Sequence, residues 1–313
     1  MIIPDRSPPL RPEVEAQRAR EAAVFGPYGA LLMKAGVGGL QGEEALAELA
    51  REAEHDLPRI IVGFPGPLLV DRLRLRDQIP PASQCGPLLK LLVMLRRFSV
   101  GHMTVKSASP EVEHRFWATH VLGELLFPES SSAVLPRLFD DDVMVRRVAR
   151  RAAVDLVAAG AAGEPLKRSL ANMVTNTDEP VHRRVLAIET LGEMRAAPLI
   201  PALIGALGDV NDTIIETARR SLLLITRQDL GPNAGVWHAW WDANRHKNRI
   251  EWLIDALTHE TPSLRRAAGD ELKQLTNEYF GYYDDLPPRE RERAQQKYRE
   301  WWRDEGQFRF PTV

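Results

Sequence analysis

Apolar positions recur at steps of four and three in five ungapped stretches of this 313-residue chain. Ala118, Ala149, Ala187, Ala218 and Ala268 share one register, each followed four residues later by Leu122, Ala153, Leu191, Leu222 and Leu272. Leu125, Leu156, Met194, Ile225 and Leu275 come three residues further on. Such steps place all three columns on one face of an α-helix, which predicts that each column is buried. The stretches begin at Arg115, Arg146, Arg184, Ile215 and Arg265, with spacings of 31, 38, 31 and 50 residues. Self-similarity at that period signals stacked helical repeats. The expected fold is all-α: a right-handed α-solenoid of about five helix pairs, in which one inner and one outer helix make each repeat.

The same pattern assigns the elements. Pro87–Arg97 reads as an outer helix with Glu111–Phe127 as its inner partner, started by the Ser109-Pro110 cap. The other pairs are Ala133–Phe139 with Val143–Ala158, Glu164–Val174 with Val181–Arg195, Pro198–Leu207 with Asp212–Thr226, and Ile250–Leu257 with Ser263–Thr276. Upstream, Glu43–Glu54 is a helix candidate and the proline-rich start suggests a loose arm. Residues 57–84 read as a non-helical connector or a distorted first repeat. The expected organisation is therefore an irregular segment over residues 1–84 and a repeat array over 85–313.

Two insertions follow the last two inner helices and look like one element used twice. Each runs from a threonine (Thr226, Thr276) to a glycine five residues on (Gly231, Gly281), then to an aromatic residue three before a tryptophan pair. These are Trp237 with Trp240-Trp241 and Tyr298 with Trp301-Trp302. Spacing of this kind covers one helical face, which points to packing at the end of the array; a stacking platform for a ligand is the alternative. The loop YFGYYDD, residues 279–285, either folds back on the last helix or serves as a contact point.

Composition narrows the setting. Hydrophobic residues at 44% and charged residues at 27% suit a packed core, while 41 basic against 43 acidic residues give no global pull towards nucleic acid or an anionic membrane. The single cysteine, Cys85, fits a reducing compartment, so the cytoplasm is expected. Asp5 and three prolines precede any apolar run that could form a signal-peptide core, and no stretch reaches the ~20 apolar residues that span a bilayer.

With the registers aligned, the chain resembles the HEAT-repeat family, particularly the bacterial phycobilisome-lyase-like group. RFWATHVLGEL from Arg115 and RVLAIETLGEM from Arg184 resemble its inner-helix pattern, and Pro136 and Pro201 match its outer-helix proline. Asp140, Asp178 and Asp209 lie six residues before the inner-helix arginine position, the family's aspartate–arginine spacing. An aspartate there can cap its helix and pair with arginine in its own or the next repeat, forming a ladder. Ile215, Ser109 and His259 interrupt that ladder at its ends.

Five residues after each register start stand His120, Arg151, Glu189, Arg220 and Asp270, a polar column expected to face solvent along the inner helices. Arg146, Arg147, Arg150 and Arg151 form the densest basic patch, with Arg219 and Arg220 in the registers of Arg150 and Arg151. The acidic Asp140–Asp142 run upstream, with Glu189 and Asp270 in the column, favours an acidic protein segment over DNA or RNA as the partner. A non-catalytic protein-binding scaffold follows, with Arg147, Arg150, Arg151, Glu189, Arg219, Arg220 and Asp270 as its candidate contacts; a solvated face without a ligand is the plain alternative. Enzymatic HEAT-like readings are a bilin lyase, which the family label alone implies, or a di-iron hydroxylase, for which a single His-Glu dipeptide (His259-Glu260) is too little. A HEAT-like nucleic-acid-binding protein is the other alternative. His120 and Glu124 at i and i+4 could share a metal but have no third ligand. No cofactor is implied: GVGGLQG from Gly36 lacks the lysine and serine of a phosphate loop and reads as a turn.

Overall fold

A computed structural model describes residues 20–74 and 79–310. The proline-rich start up to residue 19 lies outside the described residues. All regular structure among the described residues is helical, and the chain forms two compact units, one up to Pro165 and one from Leu166.

In the first unit, α1 (Gly29–Gly36) and α2 (Gly39–Ile60) form a hairpin. Its turn needs glycine, because Gly38 and Gly39 both take positive φ, 77° and 64°. The predicted helix at Glu43–Glu54 is thus the middle of a longer one, bent where Asp56 leaves helical geometry beside Pro58. Among the described residues that follow are three short 3₁₀ turns, Ile61–Gly63, Arg72–Arg74 and Ala82–Gln84.

The array region departs from expectation at its start. Pro87–Met94 (α3) ends early, since Arg96 takes φ 51°, and a further helix, α4 (Arg97–Ser107), intervenes. It is α4, rather than α3, that packs extensively along α5 (Val112–Leu125). Hydropathy hides α4 because two of its four buried residues, Ser99 and Ser107, are serines. Ser99 Oγ is satisfied locally, donating to the Leu92 carbonyl at 2.6 Å or the Arg96 carbonyl at 2.7 Å. The start of α5 is also corrected: its N-cap is Glu111, and Ser109 Oγ accepts from the Glu111 N–H at 3.2 Å, so Pro110 precedes the helix.

Then come α6 (Ser130–Arg137) and α7 (Val143–Ala158), the latter with the predicted limits. Asp142 fixes its start by accepting from the N–H groups of Met144 and Val145 at 2.9 and 3.0 Å.

The second unit contains α8 (Glu164–Thr175), α9 (Val181–Met194), α10 (Ile200–Ala206) and α11 (Asp212–Thr226). Next are α12 (Ala234–Asn244), α13 (Arg249–Ala256), α14 (Pro262–Thr276) and α15 (Pro288–Trp301). Asn211 caps α11 as Asp142 caps α7, accepting from Thr213 and Ile214 N–H at 3.0 and 3.3 Å.

All five alanines of the column are fully buried, as are the residues four positions on. Leu275 breaks the third column, being 47% exposed where Leu125, Leu156, Met194 and Ile225 are buried. Close helix contact also occurs at a glycine eight residues after the register start. A Cβ on Gly123 of α5 would stand 2.6 Å from Ala152 Cβ of α7, and one on Gly192 of α9 would stand 2.6 Å from Ser221 Oγ of α11. Each glycine thus admits the residue six places after the neighbouring register start. Helices α5–α7 and α9–α11 are accordingly tight pairs, and both pairs have the 31-residue spacing.

The two tryptophan insertions share a terminator. Thr226 and Thr276 each donate to the carbonyl four residues back (2.8 and 2.7 Å) and accept from the N–H two residues on. The following residue, Arg227 or Asn277, takes φ 57°, which ends the helix. Trp237 is fully buried with its N–H on the Gly231 carbonyl, whereas Tyr298 is buried with its hydroxyl on the Glu278 carbonyl. Tyr282 folds the 279–285 loop back, donating to the Leu257 carbonyl at 2.6 Å, and joins Tyr298, Trp301 and Leu257 in one apolar core.

Candidate functional site

The aspartate–arginine ladder exists in part and works differently from a simple cap. Arg115 clasps Asp140 of the following stretch through Nε and Nη2 at 2.8 and 2.9 Å, and Arg137 joins at 2.9 Å. Arg184 meets Asp209 at 2.6 Å, over the same sequence separation of 25. The helix caps are the residues two places on, Asp142 and Asn211, whose own N–H groups are held by Asp140 and Asp209 at 3.1 and 2.9 Å. Asp178 is exposed. Burial raises the pKa of Asp140 and Asp209, but the guanidiniums and N–H groups on them outweigh it and hold both below the usual carboxylate value. Arg115, Arg146 and Arg265 also share a local task, since each donates Nη1 to the carbonyls six and five residues earlier.

The polar column splits. His120 is buried, against the expectation that it faces solvent: its Nε2 lies 2.7 Å from the Pro80 carbonyl, and its ring packs near Phe116 and Trp117. Burial lowers its pKa below the ordinary value, with the Pro80 contact and Glu124 opposing, so the ring is neutral near pH 7. Glu124 takes the Ser83 N–H at 3.0 Å and its hydroxyl as well, which commits both carboxylate oxygens. The i, i+4 pair is therefore a packing device. Among the described residues no group of three or more His, Cys, Asp or Glu side chains is placed to hold a metal.

Beside these residues a cleft of about 280 Å³ opens within the first unit. Ile79, Pro81, His120, Glu124, Arg151 and Asp155 are among its lining residues, with the Gly123–Ala152 contact. Arg151 is exposed and pairs with Asp155 at 2.8 Å along one face of α7, while Arg147 and Arg150 are half-buried on the same helix. In the second unit Glu189 is half-buried on α9, and Arg220 is exposed on α11 with Nη2 at 3.2 Å from Thr217 Oγ1. Arg219 is engaged by a two-oxygen contact with Asp229 at 3.0 and 2.8 Å. Asp270 is exposed on α14, beside a smaller cleft of about 100 Å³ lined by Tyr279, Tyr282, Tyr283 and Lys273.

One constellation was invisible in the sequence. Glu271, 5% exposed, accepts from Arg227 at 3.1 and 2.9 Å, from Arg249 at 2.7 Å and from Arg195. These arginines lie 76, 44 and 22 residues from it, so no local spacing brings them together. The available hint is register: Glu271 stands sixth in a buried column otherwise filled by Val121, Ala152, Thr190 and Ser221. Burial raises its pKa, yet the three guanidiniums win and hold it below the usual glutamate value.

Among the described residues no helix is long and apolar enough to cross a membrane. No protein-family model and no curated protein matches this chain.

Proposed function

We propose that this chain is a HEAT-type right-handed α-solenoid acting as a non-catalytic scaffold in the cytoplasm, binding another protein along its alanine-column helices. The carrying observation is a contrast between constant and variable positions. The two tight pairs share their glycine contact, their 25-residue arginine–aspartate link and their cap. At the positions five and nine after the register start they keep a glutamate (Glu124, Glu193) and an exposed arginine (Arg151, Arg220) while two residues change. The changed positions are His120 and Asp155 in one pair and Glu189 and Leu224 in the other. A shared skeleton on which some residues are kept and others exchanged is how stacked helical repeats present a specific docking face. Exposed Arg151 and Arg220 favour an acidic segment as the partner's contribution.

Capture with crosslinking from the native cell, using the wild-type chain and the variants Arg151→Glu and Arg220→Glu, tests this reading. Both variants should fold normally, since exposed substitutions usually shift stability by no more than about 0.5 kcal/mol. A partner recovered by the wild type and lost from either variant is the expected result. Equal recovery by all three chains removes the face from consideration.

A further inference from the structure

Three guanidiniums against one carboxylate leave the Glu271 cluster with a surplus of positive charge. Arg195 and Arg227 are the residues that end α9 and α11, each in the left-handed conformation, and Arg249 opens α13. Helix ends account for part of the surplus. Arg249 Nε donates to the Ile225 carbonyl at 2.9 Å, and the C-terminal dipoles of α9 and α11 offset roughly half a charge each. At least one positive charge then remains uncompensated around a carboxylate already saturated with donors.

The donors themselves are also not used up. A guanidinium carries five N–H bonds in a planar fork suited to oxyanions. Arg195 spends only Nη1 on Glu271, and its side chain is 41% exposed, which opens the cluster to solvent. Arg249 Nη2 is buried and makes no hydrogen bond among the described residues. An unpaired buried donor on a cation is costly, and a charge-assisted bond to an anion removes that cost. The surplus also acts on Arg195, whose pKa is lowered first by burial and further by Arg249 and Arg227, with Glu271 opposing.

At the register where α7 and α11 bring Ala152 and Ser221 against a glycine, α14 carries Glu271, a charged residue in a position that is otherwise small or apolar.

We propose that Arg195, Arg227 and Arg249 form a binding site for a phosphate-type oxyanion, entered from the Arg195 side, with Glu271 holding the three guanidiniums in a common orientation. The ligand is a phosphate monoester or free phosphate. A phosphomonoester at neutral pH carries close to two negative charges and three acceptor oxygens, which three arginines from three elements can divide among themselves. Chloride offers no directional acceptors and should bind poorly.

Titration of the full chain with inorganic phosphate and with a phosphoserine peptide, followed by calorimetry and thermal melting against chloride of equal ionic strength, tests the site. Saturable phosphate binding with a rise in melting temperature that chloride does not reproduce is expected. Peptide binding tighter than free phosphate by tenfold or more would identify a phosphorylated protein as the source, and equal affinities would identify the free ion; either supports the site. Arg195→Gln, at the exposed edge, should fold normally and weaken phosphate binding by about tenfold, the scale of one charge-assisted bond. A phosphate response equal to that of chloride, or one unchanged in Arg195→Gln, overturns the proposal. Loss of the site would leave docking at Arg151 and Arg220 unaffected, so the two readings fail separately.

Discussion

The α5–α7 pair of the first unit and the α9–α11 pair of the second are built alike and loaded differently. Each closes on a glycine, each is tied by an arginine to an aspartate 25 residues on, and each starts its second helix with an Asx cap. At the fifth register position of the first helix, however, one pair holds a buried neutral histidine and the other a half-buried glutamate, while the second helix of each carries an exposed arginine. Architecture and surface chemistry are therefore set by separate columns of one helix. Either can be changed with little effect on the other, and the following expectations use that separation.

The largest effects should come from the ladder. Asp140→Ala leaves Arg115 and Arg137 without their carboxylate, and Asp209→Ala strands Arg184. Removing one partner of a buried pair costs about 3–5 kcal/mol. Chemical denaturation should show both losses, with the greater at Asp140 because two arginines depend on it. Negligible losses at both sites would show that the arginine–aspartate link does not hold the pairs together.

Smaller but still measurable is the glycine contact. In an open helix Gly→Ala gains up to about 1 kcal/mol. Here Gly123→Ala would press on Ala152 Cβ and Cα, and Gly192→Ala on the Ser221 side chain, so overpacking of about 1–3 kcal/mol should reverse the sign. Ser221 is already anchored to the Ile188 carbonyl at 3.0 Å, which denies it an easy escape. Melting temperatures of the two variants should fall, while Gly101→Ala, with open space around it, should raise the value.

The smallest effect separates the pairs. His120 has its pKa lowered by burial, so the unfolded chain binds a proton first as the pH falls below the ordinary histidine value. Stability of the first unit should decline as the pH falls below the ordinary histidine value and then level off below the folded pKa. Aspartates of the ladder do not titrate in that window, because their values are lowered from an already acidic start. His120→Gln can still donate to Pro80 and should flatten the decline; a slope unchanged by this substitution would mean that His120 carries no proton linkage.

What could be read from the sequence was whatever a helix decides for itself. The limits of α7 and α11 follow from Asp142 and Asn211 at one end and an apolar register behind them, and both were predicted to the residue. The alanine column was legible because burial repeats at one phase. Helix α4 was not, since its buried face carries serines whose hydroxyls are satisfied within the chain. The glycine contact needs a neighbour to acquire meaning, because an isolated glycine in a helix looks only like a weak point. Within the candidate sites, Arg151 and Arg220 lie exposed as their register predicted, whereas His120 is covered by the chain around Pro80 from 40 residues away. The Glu271 cluster joins four residues that no periodicity relates.

The paired tryptophan elements hold a practical lesson about where this protein tolerates change. Threonine and a left-handed residue fix the exit from α11 and from α14, and a buried aromatic fixes the return. The path between these anchors is 11 residues longer in the second copy. Lengthening a surface loop costs little once its ends are held, roughly 0.6 kcal/mol per doubling. Pro232, in the shorter copy, is thus a natural place to graft a tag, a reporter or a second binding module, since the second copy already carries such an extension at the corresponding place.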